Sequence, residues 1–247
     1  MELFNVKNKI VLITGATRGI GKSFAEGFRD AGAIVYGTGT KPESIEWMKS
    51  AGIEGRVADF TKGEGLKTVI DEIREKHVRL DCLINNAGLA MNVPAAYFKD
   101  EDIYKLIDIN FVGAFKACQA YYKAQKRDGG VIINISSVLG IVGYSLSSVY
   151  SGMKGAVIQM TKSLAAEWVG SNFRINAICP GFMDTEMTDM LKSKPELMKK
   201  FNDGIPYKRM GKPIELLGPA IFLASDASSY MTGQILVIDG GLTGIIK

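Results

Sequence analysis

Short runs rich in apolar and β-branched residues recur along this chain with room for a helix between most neighbours. That alternation constrains the fold more than any other feature. Runs at 9–14, 33–37, 55–59, 80–84, 130–135, 174–178 and 234–238 read as strands. The first of them, Lys9-Ile10-Val11-Leu12-Ile13-Thr14, has the continuous apolar character of a strand buried on both faces of a parallel sheet. Helical stretches fall between the runs: one after the first strand to about Ala31, then 43–50, 65–76, 100–124 (as one helix or with a break in it), 150–168 and 213–224. The 65–76 stretch is amphipathic, with Leu66, Val69, Ile70 and Ile73 on its apolar side. Six or seven strands alternating with helices predict the α/β class, as a single doubly wound parallel sheet with helices on both faces. A chain of 247 residues, 47% hydrophobic, fills one such domain over 1–247, and no linker, repeat or low-complexity segment interrupts it.

The first strand runs directly into Gly15-Ala16-Thr17-Arg18-Gly19-Ile20-Gly21, which opens the first helix. Glycines there let the backbone approach a pyrophosphate, and the helix N-terminus supplies N–H donors and the positive end of its dipole. The second strand ends in Thr38-Gly39-Thr40-Lys41. A site selective for NAD usually carries an acidic side chain at this point, to hold the ribose 2′-hydroxyl. None is present. Small hydroxyl residues with Arg18 and Lys41 suit a 2′-phosphate better, so NADP(H) is the expected cofactor and NAD(H) remains possible. Arg18 and Lys41 pointing only to solvent is the other reading.

Composition closes off several alternatives. The formal charge is +4 and the basic residues are scattered, which leaves no stripe for nucleic acid. No apolar run reaches the roughly 18 residues of a membrane span, and residues 1–5 lack a signal-peptide pattern. Cys82, Cys118 and Cys179 are distant and odd in number, so they read as buried small residues in a reducing compartment. His77 is the only histidine, which argues against a His-based triad or a multi-His metal site. A cytoplasmic, metal-free protein is expected.

Tyr150 and Lys154, four residues apart on a helical stretch, share one face. A free tyrosine, with a pKa of about 10, is a poor proton relay near neutrality, and a neighbouring ammonium lowers that value. Other polar residues cluster at predicted strand ends. Asp59 closes the third strand beside Phe60, Asn85-Asn86-Ala87-Gly88 follows the fourth, Ser136-Ser137 the fifth and Pro180-Gly181 the sixth. Asn86 can support the loop, contact a cofactor, or both. Asn110 lies inside the 100–124 helix, where an amide is usually exposed. The irregular 182–210 stretch carries Met183, Met187, Met190, Leu191, Leu197, Met198 and Phe201, suited to a lid over an apolar-walled cleft or to patching the core.

Together these motifs resemble the short-chain dehydrogenase/reductase family over essentially the whole chain. The resemblance implies a Rossmann-type fold and an oxidoreductase that interconverts a ketone and a secondary alcohol. It implies that Tyr150 moves the proton, Lys154 lowers its pKa and binds the nicotinamide ribose, and Ser137 holds the substrate oxygen. Asn110 would hold a water linking Lys154 to solvent. Asp59 and Asn86 would contact the adenosine, with Phe60, Ala87 and Gly88 alongside. Pro180, Gly181 and Thr185 would cover the nicotinamide end. A homotetramer acting on a small-molecule substrate is implied, without nucleic acid or membrane. The tail at 217–241 is most similar to gluconate 5-dehydrogenases and 2-deoxy-gluconate 3-dehydrogenases, which favours a sugar acid or polyol; Lys192, Lys194, Lys208 and Arg209 could then meet a carboxylate. The nucleotide turn is also similar to 3-oxoacyl-(acyl carrier protein) reductases. Acyl carrier protein would be a partner under that alternative, although Asp128 and Ser171 stand where the docking arginines are expected, with Arg127 and Arg174 as neighbours. A non-catalytic NADP(H)-binding regulator is the alternative of another class.

Overall fold

The computed structural model describes residues 2–59, 65–188 and 195–245, apart from the side chains of Pro195, Leu197 and Lys200. Seven parallel strands form one sheet in the order β3-β2-β1-β4-β5-β6-β7. They are β1 (Ile10–Ile13), β2 (Ile34–Gly39), β3 (Glu54–Val57), β4 (Cys82–Asn85), β5 (Gly130–Ile135), β6 (Phe173–Pro180) and β7 (Ile235–Ile238). The helices are α1 (Gly19–Asp30), α2 (Glu46–Ser50), α3 (Gly65–His77), α4 (Asp100–Ile107), α5 (Gly113–Gln125), α6 (Ser148–Trp168), α7 (Pro195–Gly204) and α8 (Leu217–Ala224). After β3 the chain returns to pair β4 with β1, in the register Val11–Cys82 to Ile13–Ile84. Strand order therefore reverses between β1 and β4, and the carboxyl ends of these strands open the crevice where such sheets bind ligands.

Alternate residues of β1 enter two different cores. Val11 and Ile13 join Phe24 and Phe28 of α1 and Ala220 and Leu223 of α8. Ile10 and Leu12 join Leu66 and Ile70 of α3, Tyr121 of α5 and Leu164 of α6. Burial on both faces is why the strand sequences are continuously apolar rather than alternating. All three cysteines are free and buried, and no helix among the described residues is long and apolar enough to cross a membrane.

Two expected elements differ. The second strand runs two residues past 37, because Thr38 and Gly39 pair with Arg56 and Val57 of β3. The third strand stops at Val57, which leaves Asp59 in the loop beyond it. The 100–124 stretch is helical with a break, a π-turn at Asp108–Val112, a device that recurs at functional sites. Phe60, Met190, Leu191, Lys192 and Lys194 lie outside the described residues, as does the side chain of Leu197.

Candidate active site

The nucleotide turn is held by β2 and β4. Gly15 sits at φ +64°, and a side chain there would meet Ala87 Cα at 2.9 Å. Its N–H donates to Thr38 Oγ1 at 3.3 Å, and the Ala16 N–H donates to the Thr38 carbonyl at 2.9 Å. Thr14 Oγ1 accepts from the N–H groups of Asn86 and Ala87, both at 3.0 Å. Asn86 Nδ2 returns bonds to the carbonyls of Thr14 and Gly15, again at 3.0 Å. A methyl group at Gly21 would collide with that amide and with the Gly15 carbonyl. Asn86 thus supports the loop with both amide hydrogens, and Thr38, fully buried, holds the turn from beneath. Thr14 opens the motif read in the sequence, but the bonds it makes to the Asn86 loop were not assigned from it.

The same turn fits a dinucleotide. Arg18 is the extended N-cap of α1, no side chain caps the helix, and its first turn has no acidic residue. The leading N–H groups and the dipole therefore face the crevice without a side-chain competitor on the helix itself. Gly19, at φ +53°, leaves room for a ligand, with Thr185 Cγ2 at 3.4 Å and Glu186 Oε2 at 3.5 Å from the place of an added Cβ. Thr185 so lies against the turn, and Glu186 brings a carboxylate that the sequence reading overlooked. Thr17 and Ile20 are half-buried around the turn, whereas Arg18, Thr40 and Lys41 are exposed at the edge where a 2′-phosphate would sit. Asp59 is half-buried beside Gly65. Gly181 closes against β7, its N–H donating to the Ile238 carbonyl at 2.9 Å.

The catalytic candidates converge at the ends of β5 and β6. Ser137 is the N-cap of the short turn Val138–Gly140, its Oγ accepting from the Leu139 N–H at 3.1 Å, and it lies near enough to the Tyr150 phenol to favour its ionised form. Lys154 Nζ lies 5.7 Å from the Tyr150 ring centre and donates to the Ile135 carbonyl at 2.8 Å. Ser136 Oγ donates to the Lys154 carbonyl at 2.7 Å. Gly88 brings Asn110 and Lys154 together: a Cβ there would be 3.0 Å from Asn110 Oδ1 and 3.5 Å from Lys154 Nζ.

Asn110 is buried, unlike most amides inside a helix. The π-turn directs its amide at Leu89, whose N–H and carbonyl it bonds at 3.1 and 2.8 Å, and at the Leu106 carbonyl at 3.0 Å. Its side chain is thereby engaged. One expectation is corrected here, and it concerns charge. Burial pushes the Tyr150 phenol up to about 12 against the opposing influence of Ser137, and burial pulls Lys154 down to about 8. In the chain alone the ammonium is tied to Ile135 rather than to the phenol, so it does not lower the tyrosine.

Three rings form an aromatic wall. Tyr144 packs on Phe182 at 5.5 Å between ring centres, and Phe182 meets Phe201 of α7 edge-on at 4.4 Å. Of the cations expected to meet a substrate carboxylate, the two among the described residues, Lys208 and Arg209, are engaged elsewhere. Arg209 grips Glu215 through two bonds of 2.7 and 2.8 Å, and Lys208 Nζ bonds the Asp203 carbonyl at 2.9 Å. Arg174 gives its guanidinium to Leu223, Ser225 and Ser228 in four bonds of 2.8–3.1 Å. Asp128 is paired with Arg74, Ser171 Oγ lies 3.2 Å from the Tyr122 hydroxyl, and Arg127 is exposed.

Strand order, glycine turn and the Tyr-Lys helix define a Rossmann-type oxidoreductase site, and comparison with known proteins agrees. A family model described as enoyl-(acyl carrier protein) reductase matches residues 15–243. A 3-oxoacyl-[acyl-carrier-protein] reductase of Thermotoga maritima is 38% identical, covering 96% of this chain and 98% of its own. A 2-dehydro-3-deoxy-D-gluconate 5-dehydrogenase of Pseudoalteromonas atlantica is 36% identical over 99% of both. The structure of a gluconate 5-dehydrogenase from Burkholderia cenocepacia, in complex with NADP and tartrate, superposes with a TM-score of 0.93 at 32% identity over 99% of both chains. The chain belongs to the short-chain dehydrogenase/reductase family. It is an oxidoreductase acting on CH–OH groups with NAD or NADP, in a family that binds small-molecule substrates and is commonly oligomeric.

Proposed function

We propose that this enzyme interconverts a ketone and a secondary alcohol with NADP(H) as the preferred cofactor, through Tyr150, Lys154, Ser137 and Asn110. The observation that carries the reading is the seating of the Tyr150–Lys154 turn on the end of β5 beside Ser137, with Lys154 Nζ 5.7 Å from the Tyr150 ring centre. Bound cofactor supplies or accepts the hydride. Ser137 holds the substrate oxygen and stabilises charge developing on it. Tyr150 gives that oxygen a proton in reduction and removes it in oxidation. Lys154 binds the ribose hydroxyls and, freed from Ile135, places its ammonium where it favours the phenolate. Asn110 fixes the Leu89 loop and offers its carbonyl to a relay water. The turn 15–21, Thr38, Thr40, Lys41, Asp59, Phe60, 86–88, 180–181 and Thr185 form the cofactor site, and Arg18 with Lys41 selects the 2′-phosphate. Residues 182–210 form the lid of a single 1–247 domain. A homotetramer in the cytoplasm follows from the family resemblance and from three unpaired buried cysteines.

For the substrate, a sugar acid or polyol is the first reading, supported by the tail motifs and by the gluconate-type names of two of the relatives. The engaged Lys208 and Arg209 and the aromatic wall favour the uncharged polyol within that pair. Carrier-bound thioesters are the second reading, suggested by the Thermotoga relative. Arg174, buried in backbone bonds, is not offered to an acidic carrier, so this reading rests on Arg127. The test is a panel of 5-ketogluconate, a neutral ketose and a β-ketoacyl thioester on carrier protein and on a short mimic, each with NADPH and NADH, alongside Tyr150→Phe. Abolished turnover with retained NADPH binding is expected of the variant. Turnover by Tyr150→Phe comparable to wild type would sink the assignment, and equal or better efficiency with NADH would sink the cofactor preference.

A further inference from the structure

Two consecutive residues at the end of β5 grip different groups of Lys154, and the next is Ser137. The Ile135 carbonyl takes Lys154 Nζ at 2.8 Å, and the Ser136 hydroxyl bonds the Lys154 carbonyl at 2.7 Å. Gly140 completes the seat. A Cβ on it would lie 2.6 Å from the Lys154 carbonyl carbon and 2.8 Å from the Gly155 nitrogen, so the loop lies directly on the α6 backbone. Ser136 is 3% exposed and the Cys179 thiol lies against it, which leaves its hydroxyl no solvent to satisfy it if the bond to α6 were lost.

We propose that Ser136 is a positioning residue for the reaction, its hydroxyl fixing the backbone of the Tyr150–Lys154 turn relative to Ser137. The inference rests on the function proposed above. Of the two bonds that anchor Lys154 to β5, the one made by Nζ is given up when the ammonium turns to ribose hydroxyls. The Ser136 bond involves only the main chain of Lys154, so it holds the turn whatever the ammonium does. Without it, α6 is free to drift from Ser137 just when Nζ is released, and displacements of that order are costly in rate.

The test compares Ser136→Ala and Ser136→Thr in the full chain, by steady-state kinetics and by 15N NMR titration of the Lys154 ammonium without cofactor. In S136A, kcat is expected to fall about tenfold or more with KM changed by less than about threefold, the signature of lost transition-state positioning. The Lys154 titration moves up toward the ordinary lysine range as its seat loosens and admits water. S136T keeps a hydroxyl and restores both. A kcat within about twofold of wild type together with an unmoved titration overturns the proposal. So does an S136A defect that Thr does not relieve and that merely follows a lower melting temperature. If S136A does not fold, the isosteric pair S136T and S136V carries the same comparison. If wild type turns over no substrate, the proposed function fails, and the titration still decides the role of Ser136.

Discussion

At the residue scale, three side chains carry consequences that their neighbours dictate. Glu186 brings a carboxylate to the N-terminus of α1, where a pyrophosphate would be favoured, so Glu186→Gln is expected to tighten NADPH binding severalfold in a calorimetric titration. Gly21→Ala forces a methyl into the Gly15 carbonyl and the Asn86 amide; a destabilisation of about 1–3 kcal/mol in urea unfolding and a weakened nucleotide site are expected. Lys154 titrates near 8 in the fold against about 10.5 when unfolded. Between those values the unfolded chain binds the extra proton, so the Lys154 contribution to stability without cofactor rises with pH in that window, and the cost of the buried ammonium is present in full below it. The buried Cys82 and Cys118 thiols, pushed up to about 12, act in the opposite sense. The readout is therefore the difference between wild type and Lys154→Met, which should grow by on the order of 2 kcal/mol in favour of wild type from pH 7.5 to 9.5; the same pH profile in both proteins would refute the assignment. Sequence reading found Tyr150, Lys154, Ser137 and Asn110 because their types and spacing advertise their chemistry. It overlooked Glu186 and gave no role to Ser136 and Thr14, whose work depends on which backbone group or helix end the fold places against them.

At the element scale, the strands were legible because burial on both faces demands continuous apolar runs, whereas their ends depend on pairing. Thr38 and Gly39 look like loop residues and enter β2 only because β3 supplies partners. The π-turn at Asp108–Val112 leaves no compositional trace, since it is a change in backbone hydrogen bonding within a sequence that reads as helix throughout. It rotates α5 relative to α4 and turns Asn110 inward. Arg174 shows the same limit from the other side, since its sequence neighbourhood suggested a partner protein and the fold uses it to cap α8. Replacing it with Leu strands the Leu223, Ser225 and Ser228 carbonyls, and a loss of about 2–4 kcal/mol is expected with small-substrate KM unchanged. Removing Phe182 opens the wall between Tyr144 and Phe201. Phe182→Ala is expected to raise KM for the preferred ketone about tenfold or more and leave NADPH affinity within twofold, as measured by kinetics and fluorescence titration.

At the scale of the whole molecule, the cofactor site joins the two halves of the sheet at the point where strand order reverses, with Thr14 and Asn86 bonding across it. A ligand seated there stabilises the entire fold. At one hundred times its dissociation constant NADPH should add about 2.7 kcal/mol, and its shift of the melting temperature should exceed that of NADH at equal concentration. The class of fold and the location of the crevice could be read from strand and helix alternation alone. The pairing of α1 with α8 could not, because nothing in either helix names the other. Yet Gly27 lies directly against Leu217, Phe4 stacks near Phe222, and Phe24 and Phe28 share a core with Leu216, Ala220 and Leu223. The helix that begins the nucleotide site is therefore roofed by a segment far downstream in the chain. A nascent chain that has already made every residue of the glycine turn still shows bare phenylalanines behind it until α8 has followed.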